Sequence, residues 1–191
     1  MTKKKTFGLD IDGTVTDPAT FIPYLNEHFN KNITIEDITD YDLTSLLGIS
    51  SKQFWSWLQQ HEGAIYEQAK IADYFLDALH HWKDNHDLIY ISARGEHLMD
   101  ITSGWLNQHR IPYNHIELIG SHDKINAIQQ NEIDIFFEDK HDNACDIAEA
   151  CNIPVILMDT PYNRKPTPTN VVRASNWKSA SEWVNNWLAT T

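Results

Sequence analysis

Five short runs of almost wholly apolar residues punctuate the chain, at positions 6–9, 88–91, 116–119, 133–137 and 155–158. Leu-Ile-Tyr-Ile at 88–91 and Ile-Asp-Ile-Phe-Phe at 133–137 lack the strict alternation of a strand with one wet face, which predicts parallel strands covered on both sides. Helices must supply the cover. Phe75, Leu76, Leu79 and Trp82 recur at helical spacing before the second run, and Leu98, Ile101, Trp105 and Leu106 do so after it. Ser179 and Glu182 read as a Ser-x-x-Glu capping box ahead of Trp183, Val184, Trp187 and Leu188, predicting a closing helix. Strand and helix in alternation predict an α/β fold, a doubly wound and mainly parallel Rossmann-like sheet.

Residues 17–70 break the alternation. The stretch reads as helical, with Phe21, Leu25 and Phe29 on one face and Phe54, Trp55 and Leu58 on another. It follows the first strand, beside the carboxyl ends where open α/β sheets bind ligands, so a small helical lid over a site is expected. The division is therefore a core of residues 1–16 and 71–191 with a cap of residues 17–70, whose aromatic residues pack together or stack on a substrate ring. The proline-rich piece 161–168 predicts a surface loop.

Bulk properties narrow the function. A chain of 191 residues fits one domain of ordinary size with a small insertion, and 41% hydrophobic content is that of a globular protein. A net charge of -12 argues against coating nucleic acid or an anionic membrane, which needs clustered lysine and arginine. The one basic run, Lys3, Lys4 and Lys5, reads as a solubilising tail. Without a long apolar run behind those charges, no signal peptide or membrane span is expected, and the protein reads as cytoplasmic. Cys145 and Cys151 lie on different faces of one expected helix and read as core-filling thiols. His80, His81 and His86 have no cysteine at ligand spacing, so a surface or packing role is expected rather than zinc.

The sharpest feature is Asp10-Ile11-Asp12-Gly13-Thr14, directly after the first apolar run. Strand alternation would put both carboxylates on one side, where their mutual repulsion calls for a divalent cation or a shared proton. The glycine lets the chain turn.

With this motif the chain resembles the haloacid dehalogenase-like hydrolases, whose four motifs lie in order at the ends of successive strands. Ser92 in Tyr90-Ile91-Ser92-Ala93-Arg94-Gly95 matches the second, Lys124 in Gly120-Ser121-His122-Asp123-Lys124 the third, and Glu138-Asp139 in Phe136-Phe137-Glu138-Asp139-Lys140 the fourth. The resemblance implies that Asp10 attacks phosphorus and Asp12 serves as acid and base. It also implies Mg²⁺ held by Asp10, the Asp12 carbonyl and Asp139, and phosphate bound by Ser92 and Lys124. A metaphosphate-like transition state carries negative charge on its equatorial oxygens, which these cationic and hydroxyl donors suit. Arg94 is expected either to bind phosphate through its forked donors or to cap a loop. Glu138 and Asp142 are further acids that approach the metal in this reading.

Over its whole length the chain is similar to the cytosolic-type-C deoxyribonucleotidases, which implies a nucleoside 5'-monophosphate substrate. Ser92, Arg94 and Glu96 also match a Ser-x-Arg-x-Glu pattern of polynucleotide 3'-phosphatases, although the acidic composition offers no basic track for a strand. A non-catalytic nucleotide-binding module on the same fold is the alternative of a different class. The sequence leaves a homodimer open.

Overall fold

The computed structural model describes residues 4–190, whose six strands form one sheet: β1 (Thr6–Leu9), β2 (Asp87–Ser92), β3 (His115–Leu118), β4 (Ile135–Glu138), β5 (Val155–Met158) and β6 (Val171–Ala174). Every pairing is parallel, in the order β3-β2-β1-β4-β5-β6. The chain winds outward from β1 through β2 to β3, then crosses back to β4 and winds the other way. The β1–β4 boundary is thus the switch point of a doubly wound sheet, where the carboxyl ends of neighbouring strands open a crevice.

The apolar runs are explained by burial on both faces. Leu88 and Tyr90 of β2, Ile135 and Phe137 of β4, and Ile156 and Met158 of β5 pack against α4 (Phe75–Trp82), α5 (Met99–Gln108) and α8 (Trp177–Leu188). Their neighbours Ile89, Ile91, Phe136, Val155 and Leu157 point the other way, onto α6 (Ile125–Gln130) and α7 (His141–Cys151). Side chains alternate between two cores, so both sets must be apolar. Gly8 belongs to this logic: a Cβ there would come within 2.5 Å of the Phe136 ring, so the absent side chain lets β4 press against β1. Leu76, counted in the helical stripe, is half-exposed instead, and Ala78 completes the buried face of α4.

The chain leaves the sheet after β1 and returns before α4 through two segments that run side by side. Asp17 donates its N–H to the Lys70 carbonyl at 2.8 Å, Ala72 donates to Val15 at 2.9 Å, and Thr16 bridges Ile71. Between them lie α1 (Ile22–Phe29), α2 (Thr44–Leu47) and α3 (Ser51–Glu67), with Leu25, Leu47, Trp57, Leu58 and Ile65 buried among themselves. Ser50 caps α3: Gln53 N–H donates to its hydroxyl at 3.3 Å, and the Gln53 side chain accepts the Ser50 N–H at 2.9 Å.

Several details depart from expectation. The closing helix is capped by Asn176, whose side chain accepts the Ser179 N–H at 3.0 Å, so Ser179 lies inside the helix rather than at its cap. Asparagine serves as well as serine at that position. Lys5 is no tail residue, since it pairs with Asp134 at 3.0 Å, and Lys4 pairs with Asp87 at 2.8 Å; Lys3 lies outside the described residues. His86 is buried, stacks on Phe7 and accepts the Lys5 N–H at 3.1 Å, while His80 and His81 are exposed. Cys145 and Cys151 are half-buried free thiols, of which Cys151 packs against the core beneath α6 and α7. No helix among the described residues is long and apolar enough to cross a membrane.

Candidate active site

The first motif begins where β1 stops. Asp10 still donates its N–H to the Phe137 carbonyl of β4 at 2.9 Å, and the chain then turns tightly, with Val15 and Thr16 both donating to Ile11 at 2.9 Å. Gly13 sits in the turn at φ +80°, a region that costs other residues strain, and a Cβ there would overlap the Asp139 carboxylate. The Trp177 indole N–H props the turn from below, donating to the Thr14 carbonyl at 2.9 Å.

Across the switch point, β4 delivers Glu138 and Asp139. One carboxylate oxygen from each of Asp10, Glu138 and Asp139 lies within 4.8 Å of the others, and all three residues are buried. Lys124, at the start of α6 on the crossover between β3 and β4, is buried with them. Its ammonium donates to Asp10 Oδ1 and, at 2.8 Å, to Glu138 Oε2. The other Glu138 oxygen accepts the Asp139 and Lys140 N–H groups, each at 3.1 Å. Both oxygens of Glu138 are therefore spoken for by the lysine and the backbone. Asp142, a further acid whose role at the metal the sequence leaves open, is exposed and pairs with His141 at 2.9 Å.

The electrostatics follow from three carboxylates sharing one ammonium away from water. Burial pushes Asp10 up to about 7, against the pull of Lys124, and the Glu138 and Asp12 carboxylates add to the rise. Asp139 is raised well above the usual carboxylate range by burial and by the charges of Glu138 and Asp10. Burial alone would raise Glu138 too, but Lys124 and the hydrogen bonds hold it below its ordinary value. The site has a deficit of positive charge.

Asp12 lines the same cavity as Asp10, but its side chain takes a different partner. Arg94, expected to bind phosphate or cap a loop, turns its fork onto Asp12: Nε donates to Oδ2 at 2.9 Å and Nη2 to Oδ1 at 2.7 Å. Its third nitrogen donates to Thr102 at 3.0 Å, and the guanidinium lies 3.8 Å from the centre of the Tyr66 ring. Ser92 is buried at the end of β2 and accepts the Arg94 N–H at 3.2 Å. Glu96, two residues beyond, is exposed.

Two contributors were invisible in the sequence, both in the proline-rich piece expected to be surface. Tyr162 donates its hydroxyl to Asp139 Oδ2, and fully buried Asn163 donates to the Asp139 carbonyl at 2.6 Å and the Met158 carbonyl at 2.7 Å. A tyrosine beside an asparagine between prolines carries no pattern that marks it as part of a site.

These groups floor a cavity of about 1030 Å³. Its far wall comes from the inserted helices and includes Phe21, Phe54, half-exposed Trp55 and Leu58. The model of the cytosolic type C 5' nucleotidase, deoxy (pyrimidine), matches residues 4–188. The chain belongs to that family. A protein of Halalkalibacterium halodurans, whose name marks it provisionally as a nucleotidase, is 64% identical over 97% of this chain and 95% of its own. A nucleotidase of Clostridium acetobutylicum is 30% identical over 88% of each chain. Among solved structures, YfnB of Bacillus subtilis, a haloacid dehalogenase-like protein bound to magnesium, shares the fold at a TM-score of 0.64 with 14% identity, covering 96% of this chain and 99% of that one. Family membership makes the chain a hydrolase acting on phosphoric monoesters, built on a fold it shares with haloacid dehalogenase-like structures.

Proposed function

We propose that the protein is a Mg²⁺-dependent phosphatase that hydrolyses a (deoxy)nucleoside 5'-monophosphate through an aspartyl-phosphate on Asp10. The observation that carries this reading is the buried Asp10–Lys124–Glu138–Asp139 cluster on the floor of a cavity large enough for a mononucleotide.

The donor set fits the cation. Every candidate ligand is a hard oxygen, and the charge deficit of the cluster is what a divalent ion would relieve. Asp10 and Asp139 would hold it with the Asp12 carbonyl, while Glu138, with both oxygens engaged, serves as the anchor of Lys124. The ion would supply charge stabilisation to the phosphoryl oxygens.

The remaining chemistry belongs to the chain. Asp10 attacks phosphorus, the ester oxygen departs and the phosphoryl group is left on the Asp10 carboxylate; water then releases phosphate and restores it. Asp12 delivers a proton to the departing oxygen in the first step and takes one from water in the second. Arg94 fixes the plane of the Asp12 carboxylate by its two-point pairing. Lys124 and Ser92 stabilise the equatorial oxygens. Residues 17–70 act as the cap that walls the leaving group from water, and Trp55 offers a ring for the base.

The test is phosphate release from nucleoside 5'- and 3'-monophosphates, sugar phosphates and a 3'-phosphorylated oligonucleotide, with Mg²⁺ or EDTA, by wild type and Asp10→Asn. Release confined to 5'-mononucleotides, dependent on Mg²⁺ and abolished by the substitution is expected. Preference for the oligonucleotide would turn the reading to a polynucleotide 3'-phosphatase, and no release at all to a binding module.

A further inference from the structure

We propose that the Tyr162–Asn163 turn is a positioning device for Asp139, aiming one carboxylate oxygen of that residue at the metal. The proposal rests on Asp139 being a magnesium ligand, as argued above.

The geometry grips Asp139 twice. The Tyr162 hydroxyl donates to Oδ2, while the Asn163 amide donates to the main-chain carbonyl of the same residue at 2.6 Å. A carboxylate on a single bond can rotate; pinning Oδ2 from the side fixes its plane and leaves Oδ1, which accepts from the Thr14 hydroxyl at 3.4 Å, as the oxygen assigned to the metal. Outer partners of this kind orient ligand carboxylates in metal sites.

The turn is itself anchored far beyond what a surface loop requires. Asn163 is fully buried, and its side-chain oxygen accepts from Arg173 of β6 at 2.5 Å and from the Thr160 N–H at 3.2 Å. Arg173 also donates to the Asn163 carbonyl at 2.9 Å and to Asp159 at 3.1 Å. The edge strand is thereby connected to the metal site through a rigid series of hydrogen bonds. Tyr162 in turn meets the edge of Tyr41 from the inserted segment, with ring centres 5.9 Å apart, which holds its ring against the mouth of the cavity.

The experiment is Mg²⁺ titration by calorimetry of the full chain as wild type, Tyr162→Phe and Asp139→Asn, with thermal unfolding of each in EDTA. Tyr162→Phe keeps the ring and removes only the donor, so its melting temperature in EDTA should match wild type within about 2 °C, less than one kcal/mol for a chain of this size. Its affinity for Mg²⁺ should fall about tenfold, the lower end of what losing an outer partner costs. Phosphate release should then be impaired at low Mg²⁺ and recover as Mg²⁺ saturates, a signature that a merely structural tyrosine would not give. Tyr162→Phe binding as tightly as wild type, while Asp139→Asn binds weakly, overturns the positioning role and leaves the metal reading standing. Asp139→Asn binding as tightly as wild type, or no Mg²⁺ binding by wild type, overturns both.

Discussion

Replacing Lys124 with methionine isolates the electrostatics of the site, because methionine keeps much of the side-chain bulk and removes the one ammonium between Asp10 and Glu138. Lys124 and Glu138 are 2% and 1% exposed, so solvent screens little of their interaction. Removing one partner of a buried pair costs about 3–5 kcal/mol. For a chain of this size that lowers the melting temperature by roughly 6–20 °C. The loss should depend on pH in a particular direction. In wild type Glu138 is held below its ordinary 4.5, so it contributes stability above that pH and loses it as acid titrates through the depressed value. Without Lys124, burial carries Glu138 above 4.5, and Asp10, already raised to about 7, goes higher. Between the ordinary and raised values the unfolded chain is ionised and the folded chain keeps its protons, so each step up in pH now costs stability. Urea unfolding in EDTA should show Lys124→Met losing about 3–5 kcal/mol at pH 8 and less than half of that near pH 5. Equal losses at the two pH values, or a loss under about 1 kcal/mol at pH 8, would refute the account of the cluster.

Three further outcomes are expected. Because Asp10 sits at about 7 in the metal-free protein, Mg²⁺ must displace a proton below that pH. Affinity should rise with pH through about 7, and the raised Asp139 carboxyl adds to the proton release, which is measurable by calorimetry in buffers of different ionisation enthalpy; a flat profile would count against Asp10 as a ligand. Arg94→Met should lower kcat about 100-fold by freeing Asp12, while inhibition by inorganic phosphate stays within about twofold. A large rise in the phosphate inhibition constant would instead mean that Arg94 grips the substrate. Gly13→Ala should cost about 1–2 kcal/mol of backbone strain in EDTA and, by crowding Asp139, reduce the thermal shift that Mg²⁺ produces; an undiminished shift would show that the turn can yield.

Five strands were legible: β1, β2, β4 and β5 are interior, where burial on both faces demands apolar residues at consecutive positions, and β3, at one edge, still buries Ile116 and Leu118. β6 was not, since it closes the edge of the sheet with only Val171 and Ala174 buried and devotes Arg173 to a turn. The closing helix was legible and its start was not: two overlapping cap patterns, Asn176 with Ser179 and Ser179 with Glu182, lie three residues apart, and packing of Trp177 into the core selects the first. At the site, Asp10, Ser92, Lys124 and Asp139 stand at strand or helix termini, where their position in the order of elements marks them. The Asp12–Arg94 pairing and the grip of Tyr162 on Asp139 depend on how distant segments face each other. Neither residue type nor spacing records that.

The Trp177 indole beneath the Thr14 carbonyl joins residues 163 positions apart. During synthesis, the nucleophile and its turn emerge long before the indole that props them, which belongs to α8. A ribosome-bound chain halted before residue 177 would carry all the proposed reacting groups but lack the support under their turn. The arrangement ties competence of the site to synthesis of α8, and makes that helix a poor place to truncate the protein.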